Sequence, residues 1–84
     1  MYYYTVELLD TKDHVFFSTV SLAPNITHAM EQAKLKAYNQ MDKHRIVIRY
    51  ITVKDNEQEF TYNMLTKTLN KLYKENQHEQ TKIN

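Results

Sequence analysis

Apolar residues dominate residues 2–9 and again 15–22, two β-prone stretches separated by polar turn-forming residues. In the first stretch Tyr2, Tyr4, Val6 and Leu8 share one face and Tyr3, Thr5, Glu7 and Leu9 the other, with the first set expected to face the core. The second, VFFSTVSL, is rich in aromatic and β-branched residues. Asp10-Thr11-Lys12-Asp13 between them supplies turn-forming residues, so the pair reads as a hairpin.

A helical period follows. Ile26, Ala29, Met30, Ala33, Ala37 and Met41 fall on one helical stripe, and Asn25, following Pro24, is a residue type that caps a first turn. Alanines on that stripe let a helix lie close to a sheet, with the methionines filling irregular gaps. Leu35 lies roughly 180° from Ile26 at about 100° per residue, so it faces away from the stripe.

Residues 45–54, RIVIRYITVK, predict a third strand whose two faces are both apolar: Ile46, Ile48 and Tyr50 on one, Val47, Ile51 and Val53 on the other. A small domain covers one sheet face with its own helices, and a second apolar face is expected to meet a partner. Beyond it, Asp55-Gln58 and Asn56-Glu59 have capping-box spacing, and Tyr62, Leu65, Leu69, Leu72 and Tyr73 form an apolar stripe. These predict a second helix with Leu69 in the core and Phe60 and Met64 projecting away from it. Residues 59–64, EFTYNM, are also β-prone and would pair back on the third strand through an Asp-Asn turn. Leu65, Leu69, Leu72 and Asn76 have the spacing of a short heptad seam, with ordinary packing on the sheet preferred.

These elements describe a single α+β domain over residues 1–75, in the order strand, strand, helix, strand, helix. Its antiparallel hairpin is expected to carry helices packed on one sheet face. Residues 76–84 are polar apart from Ile83 and are expected to fray.

Composition narrows the functional classes. Eleven basic against ten acidic residues give a net charge of +1, which neither attracts nucleic acid globally nor mimics it. Residues 1–42 hold three basic and five acidic groups, residues 43–84 eight and five, so basic contacts are expected in the second half. Without cysteine there is no disulfide and no thiolate chemistry. With no apolar run near 18 residues and no signal-peptide pattern in YYYTVELLD, a cytoplasmic protein without a membrane segment is expected. The Asn25-Ile26-Thr27 sequon is then accidental. Zero glycine and one proline leave turns to Asp and Asn, and the richness in Asn, Lys, Ile and Tyr resembles proteins of AT-rich genomes, including phages and plasmids.

Candidate chemistry is sparse. His14, His28, His44 and His78 lack the i, i+4 spacing of a helical metal site and read as surface residues, and His28 and Glu31, one turn apart, are spaced for an ion pair or for acid–base work, with a plain structural role preferred. Glu57 and Glu59 suit a helix N-terminus better than paired acid–base work. Ser18 and Ser21 have no evident base, and the absence of glycine removes nucleophile elbows and phosphate-cradling loops. No catalytic, cofactor or metal site is expected, and the chain is not expected to be an enzyme.

Arg45 and Arg49 share a strand face with Val47, and seven tyrosines suit half-buried faces and interfaces. Tyr2, Tyr4 and Tyr62 are assigned to the core. Tyr3, Leu35, Tyr38, Arg45, Arg49 and Tyr50 are the expected partner-binding residues. The expected function is a non-enzymatic protein-binding module that occupies a surface on a larger protein, with homodimerisation as a further mode. A phage- or plasmid-encoded regulator or inhibitor of a host protein fits this size. The alternative is a small nucleic-acid-binding accessory protein using Lys43, Arg45, Arg49 and Lys54, with Phe17 or Tyr3 stacking bases.

Overall fold

A chain without glycine must build its turns from side chains that imitate backbone, and three hairpins here do so in the same way. The computed structural model describes residues 1–74. In it β1 (Tyr2–Leu9), β2 (Val15–Ala23), α1 (Ile26–His44), β3 (Tyr50–Lys54), β4 (Gln58–Asn63) and β5 (Thr68–Tyr73) follow one another. Asp10 opens the β1–β2 turn, its Oδ1 accepting from the Lys12 and His14 N–H groups, each at 2.9 Å. Asp55 opens the β3–β4 turn, accepting from Glu57 N at 2.8 Å and Gln58 N at 2.9 Å. Asn63 opens the β4–β5 turn, accepting from Leu65 N at 2.9 Å and Thr66 N at 3.1 Å. These are Asx turns, in which a short polar side chain satisfies amides that a reversing chain leaves free. Asp13 and Lys67 take the left-handed backbone conformation that glycine usually supplies, with φ of 64° and 60°.

All strand pairings are antiparallel and give one sheet in the order β2-β1-β3-β4-β5. The helix packs on one face of it. Asn25 caps α1 by accepting from His28 N at 2.8 Å. At the other end Arg45 adopts a left-handed conformation, φ 54°, and donates its N–H to Met41 O at 2.8 Å. Lys43 and His44 in the last turn complement the helix dipole.

The core lies between α1 and the sheet. Tyr4, Val6 and Leu8 from β1, Ile51 and Val53 from β3, and Phe60 from β4 meet Ile26, Ala29, Met30, Ala33 and Ala37 from the helix. The predicted stripe is thus the buried one, and Met41 at its end is half-buried. The opposite sheet face is open and largely polar. Across β1, β3 and β4 it presents Thr5, Lys54 and Glu59 in one row and Glu7, Thr52 and Thr61 in the next. Glu7 holds this face together by accepting from Thr52 Oγ1 at 3.3 Å and pairing with Lys54 Nζ at 3.6 Å.

Several expectations are corrected. Among the described residues there is no second helix: the segment after Asp55 forms β4 and β5, and the strand reading of EFTYNM is the one observed. The side-chain bonding of Asp55 that suggested a helix cap instead closes a hairpin, because an Asx oxygen serves both geometries equally well. Phe60, expected to project away, is buried, whereas Leu65, Leu69 and Leu72 are exposed. Helices therefore do not cover the sheet as a pair; α1 does so alone. The third strand begins at Tyr50 instead of Arg45. Ile48 and Ile51 are both buried although they differ by an odd number of positions, so the irregular segment 46–49 resets the side-chain phase before β3 starts. Tyr50, Thr52 and Lys54 consequently occupy the second face of β3, which is not an apolar one. Tyr4 is core as expected and Tyr62 half-buried against it, but Tyr2 at the sheet end is exposed. The polar segment 76–84 lies outside the described residues.

Candidate functional site

Arg49 has the same parity as the buried Ile51 and Val53, which puts it on the helix side of the sheet, and there it lines a groove of about 340 Å³ at the C-terminal end of α1. Tyr38 and Met41 line it from the helix, Val47, Ile48 and Arg49 from the irregular segment. Met64 and Leu65 close it from the β4–β5 turn, with Thr11 reaching in from the β1–β2 turn. The volume is at the lower end of the range of small binding sites. The backbone fixes Arg49 firmly: its N–H donates to Leu9 O at 2.8 Å and its C=O accepts from Met64 N at 2.7 Å. Its guanidinium carbon lies 5.6 Å from the centre of the Tyr50 ring, a cation–π distance.

Two features make this groove a candidate site. Among the described residues, Arg49 is the only ionisable group lining it apart from the Tyr38 phenol. The Nε of Arg49 is shielded from solvent and has no hydrogen-bond partner among the described residues. A buried donor without an acceptor is costly, by about 1–3 kcal/mol, and in native proteins such groups are rare. The rim adds exposed apolar surface at Val47 and Leu65, the latter 74% exposed. Leu35 is exposed one turn before Tyr38 on the outer flank of α1 and extends that surface.

The expected partner-binding residues are thus only partly brought together. Tyr38 and Arg49 line one groove, with Leu35 beside it. Arg45 caps the helix with its backbone, close in sequence to the groove. Tyr50, on the open-face side of β3, still holds its ring at a cation–π distance from the Arg49 guanidinium, whereas Tyr3 lies on the open face of β1, away from the groove. Of the two aromatics named for base stacking, Phe17 faces the helix side, as Arg49 does, and Tyr3 the open face, where Lys54 pairs with Glu7. Met41, Met64 and Leu65 were not anticipated as site residues. Met64 and Leu65 join the groove only because the chain reverses at Asn63, and the helical reading of that segment concealed the turn.

A second concavity of about 480 Å³ surrounds the start of α1, between β1, the Asp55 turn and β5. Asp55, Glu57 and Lys71 put both signs of charge there, alongside Tyr2 and Tyr73. Burial pushes the Tyr4 phenol above its ordinary value, with smaller contributions from Asp55 and Tyr2. The mixed charge selects no ligand. The histidines are dispersed: His14 sits beside Asp10 in a turn, His28 in the first turn of α1, and His44 edge-on to Phe16 with ring centres 5.5 Å apart. Among the described residues no group of three His, Asp or Glu side chains could hold a metal ion, and no helix is long and apolar enough to cross a membrane.

Comparison with protein families, curated proteins and solved structures finds no match to this chain.

Proposed function

We propose that this chain is a non-enzymatic protein-binding module whose groove receives a segment of a larger protein bearing a carboxylate among apolar side chains. The observation that carries this reading is Arg49: among the described residues, the one cation lining an otherwise largely apolar groove. A carboxylate is the natural complement, since it pairs with the planar guanidinium fork through two parallel hydrogen bonds. Flanking apolar side chains of the same segment would rest on Tyr38, Met41 and Leu65, the methionine adapting its shape to them. Occupying a surface of a host protein in this way is how the chain would regulate or inhibit it.

Selection from a random peptide library displayed on phage tests this directly. The expected binders carry Asp or Glu flanked by Leu, Ile or Phe. Their affinity should fall by more than about 1 kcal/mol in Arg49→Gln and in Tyr38→Ala while thermal stability stays near that of the parent. Selected peptides without an acid, or binding indifferent to Arg49, would overturn the reading. Salt-dependent oligonucleotide binding that is lost in Arg49→Gln would replace it with the nucleic-acid alternative.

A further inference from the structure

The two edges of the sheet differ in a way the groove does not explain. β5, at one edge, carries Lys71 and is flanked by Lys67 and Lys74, charges of the kind that keep an open edge from pairing with another chain. β2, at the other edge, is nine residues long and reads VFFSTVSLA, without one ionisable side chain or proline. Exposed large apolar side chains occur on both edges, Val15, Phe16, Val20 and Leu22 on β2 and Leu69, Leu72 and Tyr73 on β5, so it is the absence of charge that sets β2 apart. On the open face, Tyr3 stands beside Leu22 in the paired register and Val20, 63% exposed, lies one row along.

We infer that β2 is a strand-pairing interface for a second copy of this chain, joined antiparallel across a two-fold axis into a continuous ten-stranded sheet. The occupant is argued from β2 itself. An isologous contact sets a strand against its own sequence, so any charge near the axis would meet its like, and β2 has none to repel. The register irregularity between Leu8 and Leu9 distorts only the end of β2 near Val15, leaving Phe17–Ala23 regular for pairing. Such a joint places both helices on the same face, sets Val20 and Leu22 of each copy against the other's open face row, and leaves both grooves free. It is independent of what the groove binds.

Sedimentation velocity of the full chain from roughly 1 to 500 micromolar tests the inference. The expected result is a reversible monomer–dimer equilibrium. Val20→Lys should weaken it at least about tenfold by placing like charges across the axis, while Leu72→Lys, an equally exposed change on β5, leaves it within about twofold. Amide hydrogen exchange on the unsubstituted chain supplies a readout that survives a folding defect in either variant: Phe17–Ala23 should gain protection with concentration and Thr68–Tyr73 should not. A monomer throughout the range overturns the inference and points to a foreign extended peptide or to no occupant at all. A dimer equally sensitive to both substitutions, or one whose protection appears on β5, overturns it as well.

Discussion

Truncating Phe60 and Leu69 in parallel gives opposite answers for the two ways of folding the C-terminal half. As a helix, that segment buries Leu69 and leaves Phe60 outside; as two strands, it does the reverse. In the structure Phe60 is 3% exposed, paired with Val53 across β4 and β3, and edge-on to Tyr73 with ring centres 6.2 Å apart. Removing a buried phenylalanine ring costs about 3–5 kcal/mol. Leu69 is 41% exposed on an edge strand that relaxes easily, so Leu69→Ala should cost about 1 kcal/mol or less. A domain of this size has roughly 5 kcal/mol of stability and unfolds in urea with a slope of about 1 kcal/mol per molar. Leu69→Ala should then lower the urea midpoint by about 1 M or less, whereas Phe60→Ala, left with about 0–2 kcal/mol, should lower it by about 3–5 M and bring the chain to the edge of unfolding without denaturant. Phe60→Leu, a milder change costing about 1–2 kcal/mol, keeps the transition measurable if the alanine variant does not fold. Should Leu69→Ala prove more damaging than Phe60→Leu, the assignment of β4 and β5 and the groove built on their turn would both be wrong.

Two further outcomes follow from the helix cap and the first turn. Asn25→Ala should destabilise the fold by about 1 kcal/mol in thermal or urea unfolding, because the His28 N–H loses its acceptor; an unchanged midpoint would mean that solvent caps the helix equally well. At Asp10 the N–H groups of His14 first, then Lys12, favour the carboxylate and hold it below its ordinary value of 3.8. Because the folded value is the lower one, this contribution is complete above the ordinary value and disappears as pH falls through the folded one. Melting temperatures of the parent and Asp10→Asn should therefore differ most near neutrality and converge in acid; a constant gap down to about pH 2 would refute the charge argument.

Where period and turn chemistry agreed, the fold was legible in the sequence. The alternation of Tyr4, Val6 and Leu8, the turn residues after Leu9, and the stripe from Ile26 to Ala37 each pointed to one structure, and each is found. The C-terminal half was ambiguous for a physical reason. Leu65, Leu69 and Leu72 have helical spacing, yet they are exposed side chains of a turn and an edge strand that owe nothing to a helical core. Asp55 was correctly seen as a residue that gathers free amides, but its bonding pattern does not distinguish a helix start from a hairpin. Within the candidate site, Tyr38, Arg49 and Leu35 could be named from composition and facing alone. The groove could not, because it depends on the irregular segment 46–49 and on the turn at Asn63, both of which interrupt a periodic pattern.

The strand order carries a consequence for how this chain reaches its native state. Of the four pairings in the sheet, three join strands that are neighbours in sequence through short turns, and such hairpins form within about 1–10 microseconds. Only β1 against β3 spans the helix, setting Leu8 opposite Ile51 and Val6 opposite Val53. Closing that loop costs entropy before its contacts return any stabilisation, which makes it the natural barrier to folding. The chain is in this sense two local modules, a hairpin and a three-stranded meander, with α1 as the strut between them. Its kinetic lifetime would be set at one central seam, while β5, exposed along its whole length, can open and close many times without disturbing that seam.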